Sequence, residues 1–471
     1  MNQYQIKFGT DGWRALIARE FTVENVARVG KGISSWLAQK YPERKQYKIV
    51  IGYDTRFGGK LFCESLAISL IEEGIAVLIH DGFVTTPMVS LATTKKKCEL
   101  GIMFTASHNP PSYQGLKIKG PYGGPAFDDM VNEIVDLIPE RVELPDNDRY
   151  ASLYKDPLLG QIDLEELYTQ TIKERFNLEA LQKDQQHYIF DAMNGSIQDY
   201  IQQLFPKMKV IRKDPDPTFK GVSPEPIERN LLALREALEE GNYALGLAVD
   251  GDADRIGLMD GEGKVIDAHH IMLILIWYLV KYKGQTGKVV TGFSSTQKVK
   301  ALCKALDLDL QIVKIGFKHS AVVMLEEDVL LAGEEAGGIA TKGHIPERDG
   351  LWNVLLIMEM LHETGKTIHE ILKEIAAEVG VFDYARLDLN ISRDKIEEIT
   401  ATLKNNAPSR FGDHEVLTHE TLDGNKFYFN ENEWLMFRAS GTEPLLRIYA
   451  ESSDIDNVNE LLSIGRSTFS I

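Results

Sequence analysis

The sequence predicts an α/β chain of several domains that closes with a smaller α+β domain. Three observations carry this expectation. Short apolar, β-branched runs alternate with longer helical stretches over most of the chain, as strand–helix units in parallel or mixed sheets do. The C-terminal part breaks the alternation: a helical stretch, Arg393–Asn405, precedes several strand runs and the amphipathic Asn457–Phe469. The length of 471 residues, at roughly 150 per domain, makes about three domains before any pattern is read.

The strand runs come in order. KIVIGYD (48–54), AVLIHDG (76–82) and LGIMFTAS (100–107) are followed by YIFDAMNG (188–195) and LGLAVDGD (245–252). KVVTGF (288–293), QIVKIGF (311–317) and VLLAGEE (329–335) come next, and most of these runs end in turn residues. Helix-like stretches lie between them at Val23–Gln39, Leu61–Glu73, Leu231–Glu240 and Ser295–Leu306. In KFYFNENEWLMFR (426–438) two strand runs flank a polar turn, and LLRIYAES follows. The longest apolar run, Ile271–Val280, is far shorter than the about 18 residues of a membrane span and reads as a buried helix. Boundaries fall near 150, 258 and 378, and no internal repeat is visible.

Composition excludes several classes. Hydrophobic residues at 44% and charged residues at 26% are ordinary for a folded chain. The balance 52 − 70 = −18 argues against nucleic acid or an anionic membrane as partner. An anionic substrate would need the cations gathered in one cleft. Cys63, Cys98 and Cys303 are scattered and odd in number, which fits a reducing compartment rather than disulfides or zinc. The N-terminus lacks an apolar h-region, so a cytoplasmic location is expected. Oligomeric state is not legible.

Five segments carry chemistry. Thr105-Ala106-Ser107-His108-Asn109-Pro110 follows a strand run, where ligands of open α/β sheets gather. A serine there can be a nucleophile or phosphate carrier; the plain alternative is a turn. The Pro/Gly-rich stretch 109–125 behind it carries Lys117 and Lys119 and is long enough to be functional. In Asp250-Gly251-Asp252-Ala253-Asp254-Arg255, small residues let three carboxylates converge on a hard cation. Left unneutralised they would repel. An EF-hand loop needs Gly and Glu where Arg255 and Gly261 stand, so that reading fails and an acidic surface turn is the competitor. Gly333-Glu334-Glu335-Ala336-Gly337-Gly338 places a carboxylate on a Gly-rich turn, able to bind sugar hydroxyls. Arg438-Ala439-Ser440-Gly441-Thr442-Glu443-Pro444, with Arg447 beyond, has the donors of a phosphate cradle without P-loop spacing. FGTDGWR (8–14) says only turn, with one arginine beside it.

Together these segments resemble the α-D-phosphohexomutase superfamily, the phosphoglucomutase/phosphomannomutase enzymes. FGTDGWR, TASHNP, DGDADR, GEEAGG and RASGTEP stand in that family's order across nearly the whole chain. The resemblance implies four domains around a central cleft, the first three of them related α/β units and the last a smaller domain that closes over substrate phosphate. These are an α/β domain with the phosphoserine loop (1–150), one with the metal loop (151–258), one with the sugar loop (259–378), and an α+β domain with the phosphate loop (379–471).

It also implies a reaction. Ser107 would carry the phosphate, and one Mg²⁺ would sit on Asp250, Asp252, Asp254 and the Ser107 phosphate. A hexose 1,6-bisphosphate would form and turn over within the cleft. His108, Lys117 and Arg255 would act at the transferred group. Arg14, Lys318, Glu334, Ala336, His344 and Arg348 would meet substrate, with Arg438, Ser440, Gly441, Thr442 and Arg447 around its other phosphate. The implied partners are small hexose phosphates alone.

The chain departs from the pattern in three places. Ala336 stands where relatives carry a serine, a loss of ~0.5–1.5 kcal/mol if that hydroxyl bound the sugar. Gly338 replaces a histidine of bifunctional phosphomannomutase relatives. Arg348 falls on a catalytic lysine of the glucose-directed members, and an arginine binds charge but hardly deprotonates, so the general acid/base is left open. HIPERDG (344–350) otherwise looks like those glucose-directed members, so the reading favours a phosphoglucomutase. A phosphomannomutase or an amino-sugar phosphomutase is the alternative; a non-catalytic sugar-phosphate binder and a phosphatase come after.

Overall fold

Ile49, Val50 and Ile51 are all fully buried, the mark of a central parallel strand covered on both faces. In the computed structural model, which describes residues 4–440 and 444–471, strand Lys48–Tyr53 runs parallel to Ala76–Ile79 on one side and Leu100–Phe104 on the other. Leu100–Phe104 then pairs antiparallel with a return strand, Tyr113–Lys119. Trp13–Leu16 and Leu159–Gln161 close the two edges of this six-stranded sheet.

The same four-strand order appears twice more. Tyr188–Asp191 lies parallel to Lys209–Ile211 and Leu245–Val249, and Ile256–Asp260 returns antiparallel. Lys288–Gly292 lies parallel to Leu310–Val313 and Val329–Gly333, and Ile339–Thr341 returns antiparallel. In each unit the loop before the return strand holds a motif: residues 105–112, 250–255 and 334–338. The topological repeat escapes the sequence because burial recurs at these strands and residue identity does not.

One apolar cluster joins the three units. Met103 of the first, Phe190 of the second and Ile274 of the third belong to it. Ile274 sits on helix Ala268–Trp277, whose residues Ile271–Ile276 are at most 1% exposed, as a buried helix requires. Among the described residues no helix is long and apolar enough to cross a membrane. The three cysteines are free and buried.

The C-terminal sheet is antiparallel, in the order Asp383–Asn390, Leu445–Ser452, Trp434–Ala439, Asn425–Tyr428, Thr418–Glu420. Its hairpin has the expected place, with Asn425 opposite Phe437 and Tyr428 opposite Trp434. Alternation sorts the two faces. Leu435, Phe437 and Ile448 pack under helices Arg393–Asn405 and Ile455–Thr468. Trp434, Met436 and Tyr449 pack on Phe293 of the third unit. That contact brings the face bearing Arg438 and Arg447 toward the loop 334–338 of the third unit, where the charge of Glu335 reaches Arg438.

Candidate active site

Ser107 leaves the end of strand Leu100–Phe104 with φ of 51° and is 1% exposed. Its Oγ donates to Asp250 Oδ2 at 2.8 Å and lies 3.3 Å from His108 Nδ1. The first and second units therefore meet at the two residues expected to carry chemistry. Gly251 makes the approach possible: a Cβ there would stand 2.8 Å from the Ser107 carbonyl oxygen.

Asp250, Asp252 and Asp254 are wholly buried, and one oxygen of each lies within 4.8 Å of the others. Cations from other units compensate them. Lys117 Nζ donates to Asp252 Oδ2 and Asp254 Oδ2, both at 2.8 Å, and pairs with Asp11 at 3.0 Å. Arg348 Nη2 lies 2.8 Å from Asp254 and 3.0 Å from Asp11. Thr86 Oγ1 donates to Asp252 Oδ2 at 2.5 Å.

The triplet fits a hard cation. Asp252 Oδ1 and Asp254 Oδ1 are buried with no hydrogen-bond partner among the described residues. Such oxygens are costly to bury unless something positive meets them. Burial and the charges of Asp252 and Asp254 hold the Asp250 carboxyl well above its ordinary range. Burial works the same way on Asp252, but the Lys117 ammonium overcomes it and holds that carboxyl low. Burial opposes the charge on Lys117 too, yet Asp11, Asp252 and Asp254 keep its ammonium well above the ordinary value.

The other expected residues divide between cleft and core. Burial, then the charges of Arg255, Arg14 and Lys117, hold His108 well below its ordinary value, so it is neutral at pH 7. Arg14 Nη1 donates to Asn109 Oδ1 at 2.6 Å. Arg255 lies 3.2 Å from Glu225 and 4.0 Å from Asp254. Lys318 pairs with Asp128 of the first unit at 2.5 Å and lines a small crevice with Asp11 and Lys117. Glu334 accepts from Gly316 N at 3.0 Å and faces Arg348 Nη1 at 3.6 Å. Burial pushes its carboxyl up to about 7 against the pull of Arg348. Ala336 is half-buried beside it. A Cβ at Gly338 would collide with Arg348 Cδ, so a side chain there would require the arginine to shift.

Arg438 and Arg447 stand directly opposite each other on neighbouring strands. Arg438 Nε meets Asp423 at 3.1 Å, and Arg447 Nε is 3.6 Å from Asp388. Like charges so placed destabilise a sheet unless an anion joins them. Asp423 also accepts from Ile315 N at 2.9 Å, which ties this pair to the third unit. Ser440 N donates to Leu445 O at 2.8 Å. Gly441 and Thr442 lie outside the described residues.

His344, which the resemblance assigns to substrate, has a side chain 3% exposed that stacks on Trp352 with ring centroids 3.7 Å apart. Its Nε2 lies 2.8 Å from Asp349 Oδ2. Asp349 in turn caps helix Gly350–Thr364 through Trp352 N. The histidine packs the helix start that carries Arg348.

Several site residues were not singled out from the sequence. Asp11 sits in a Gly-rich turn that looked like a turn and nothing more. Thr86 has no local signal. Lys119 and Glu347 form a fully buried pair at 2.6 Å, and Glu347 also accepts from Arg348 N at 3.2 Å. Asp54 and Arg56 stand just past a strand end, which was the available signal.

A buried serine beside an acidic triplet, ringed by cations on three α/β units, is an arrangement that phosphoryl transfer would require. The chain belongs to the phosphoglucomutase/phosphomannomutase family, whose members are intramolecular phosphotransferases. Profiles of its α/β/α domains I, II and III match residues 5–144, 166–263 and 267–379, and that of its C-terminal domain matches 391–463. The chain is 31% identical over 467 residues to the phosphoglucosamine mutase of Limosilactobacillus reuteri, covering 96% of this chain and 95% of that one. It is 27% identical over 462 residues to the phosphoglucomutase/phosphomannomutase of Thermococcus kodakarensis, covering 97% of each. The crystal structure of a Thermus thermophilus protein designated a phosphomannomutase superposes over 100% of both chains with a TM-score of 0.87 at 31% identity.

The packing role of His344 predicts that His344→Ala lowers stability by about 1–3 kcal/mol. KM for a hexose phosphate should stay within about twofold of wild type. Thermal unfolding with steady-state kinetics checks this; a raised KM at unchanged stability would return the histidine to the substrate.

Proposed function

We propose that this chain interconverts the 1-phosphate and 6-phosphate of an amino hexose, glucosamine foremost, by passing a phosphoryl group through Ser107. The observation that carries the reading is Ser107 Oγ at 2.8 Å from Asp250 within the buried triplet. The glucose preference read from HIPERDG is replaced here. The histidine of that segment packs inside the fold, and curated relatives named phosphoglucosamine mutase recur at 29–31% identity.

Each residue has a part. Phosphorylated Ser107 gives its phosphoryl group to the free hydroxyl of a bound hexose monophosphate; the bond from phosphorus to Oγ breaks, one to the sugar oxygen forms, and the proton of that hydroxyl ends on Oγ. His108, neutral and 3.3 Å from Oγ, can relay this proton to Oγ and carry it back when phosphate returns to the serine. Lys117 and Arg348 keep fixed positive charge beside the transferred group, where a loose transition state is stabilised chiefly by position and electrostatics. Asp250, Asp252, Asp254 and Ser107 would hold Mg²⁺, which when bound supplies charge neutralisation and Lewis acidity. Arg438 and Arg447 bind the phosphate that does not react. The opposed arginines suit either end of the sugar, so the bisphosphate can turn and return its other phosphate to Ser107. Glu334 accepts sugar hydroxyls.

Ser107→Ala should lose label transfer from phosphorylated enzyme to sugar phosphate while its unfolding temperature stays near wild type; full turnover in that variant sinks the mechanism. Wild type should turn over glucosamine 1-phosphate with higher kcat/KM than glucose 1-phosphate, given catalytic amounts of a 1,6-bisphosphate. The reverse order would restore glucose.

Mg²⁺ at about 100 times its Kd should stabilise wild type by about 2.7 kcal/mol. Asp252→Asn should abolish most of that gain, read by calorimetry without substrate. Glu334, up at about 7, is increasingly protonated below that pH and loses its acceptor character. KM should therefore rise as pH falls through 7, and Glu334→Gln should flatten that rise, measured against wild type so that substrate ionisation cancels.

A further inference from the structure

Ser107 holds a backbone conformation that residues with a Cβ avoid, at φ of 51°. Such a conformation persists when the surroundings over-determine it. Here a single short segment supplies the determination. Thr105 Oγ1 accepts from Ser107 N at 2.8 Å and donates to Asp54 Oδ2 at 2.6 Å. Arg56 Nη2 donates to the carbonyls of Ser107 and Asn109 at 2.7 and 2.6 Å. Arg56 Nη1 donates to those of Pro110 and Tyr113 at 2.9 and 3.1 Å. The N–H and the C=O on either side of the Ser107 Cα are thus both held from residues 54–56.

That segment is itself anchored. Arg56 N donates to Asp54 Oδ1 at 2.9 Å, and the two side chains, each 0% exposed, pair at 3.3 Å. The guanidinium carbon lies 4.9 Å from the Phe219 ring centroid, and Thr55 Oγ1 donates to Asn194 O at 3.1 Å. Both partners belong to the second unit, the one that carries the metal loop. The clamp on the serine and the position of Asp250 therefore share one anchor. The planar fork of an arginine can serve four carbonyls together, which a lysine cannot.

We propose that Asp54, Arg56 and Thr105 are positioning residues for the phosphoryl transfer: they hold Ser107 in its left-handed turn and aim Oγ at Asp250. The inference rests on Ser107 being the phosphoryl carrier. All three are at most 2% exposed, and their polar contacts described above run to the serine turn and to one another, so their effect is on the chemical step and not on substrate affinity.

The test is single-turnover transfer of a labelled phosphoryl group from glucose 1,6-bisphosphate to dephosphorylated Ser107. The bond from phosphorus to the sugar oxygen breaks, the bond to Oγ forms, and the serine proton ends on the released monophosphate. Thr105→Val keeps the volume and removes both hydrogen bonds. Its transfer rate should fall about 100-fold or more, with half-saturating bisphosphate within about threefold of wild type. Thr105→Ser, which keeps the hydroxyl, should recover most of the rate. Arg56→Lys should lose rate in the same way, and it decides the question should Thr105→Val not fold. A folded Thr105→Val or Arg56→Lys with the wild-type rate overturns the proposal. So does a loss in proportion to the unfolded fraction, or one seen in half-saturation alone. Ser107→Ala, run in parallel, separates the two levels. If it still becomes labelled, Ser107 is not the carrier and the proposal falls with that reading. If it stays unlabelled while the clamp variants react normally, the positioning role alone is wrong.

Discussion

Three buried carboxylates within 4.8 Å of one another cannot stand alone, and their compensation organises the molecule. Asp250, Asp252 and Asp254 come from one loop, but the charges that answer them do not. Lys117 arrives from the return strand of the first unit, and Arg348 from the loop before helix Gly350–Thr364 of the third. Removing three charges from water is unfavourable unless partners meet them with good geometry. The ion pairs therefore cross between three sheets that one shared apolar cluster packs together. Asp252 Oδ1 and Asp254 Oδ1 are buried without a hydrogen bond among the described residues, a donor set that a hard cation would satisfy.

The net charge of −18 takes on meaning against this arrangement. Lys117, Lys119, Arg56 and Arg348 are at most 4% exposed and are spent on carboxylates and carbonyls at the centre. Arg438 and Arg447, opposed across two strands of the C-terminal sheet, pair with Asp423 and Asp388. The surface stays acidic while positive charge is gathered where a phosphate would enter. Steering of this sort raises encounter with anionic substrates and falls with ionic strength.

Topology explains why single short loops suffice. Each α/β unit sends its third strand into a loop and returns antiparallel, and each such loop carries one piece of the site. The buried cluster shared by Met103, Phe190 and Ile274 sets the three sheets so that the loops face a common centre. Ser107 then needs only a sharp turn to reach Asp250, and Gly251 needs only the absence of a Cβ.

Much was legible from the amino-acid sequence alone. Buried apolar runs placed most of the parallel strands, and the hairpin around residues 426–438 was visible from its polar turn, but the return strands Tyr113–Lys119, Ile256–Asp260 and Ile339–Thr341 and the C-terminal strand Asp383–Asn390 were not read as strands. Ser107 and the three aspartates stood out because local spacing is itself the signal for a turn at a strand end or a cation loop, whereas Lys117 was assigned from the family resemblance. What tertiary structure alone decided concerns pairs distant in sequence. Asp11 and Thr86 belong to the site because folding brings them to residues more than a hundred positions away, and no local pattern records that. That the His344 ring stacks on Trp352 and meets Asp349 is likewise recorded in no local pattern. The close approach of Gly338 to the Arg348 side chain also joins two positions that the sequence treats separately. Periodicity encodes which face is buried; only packing settles which buried charges meet.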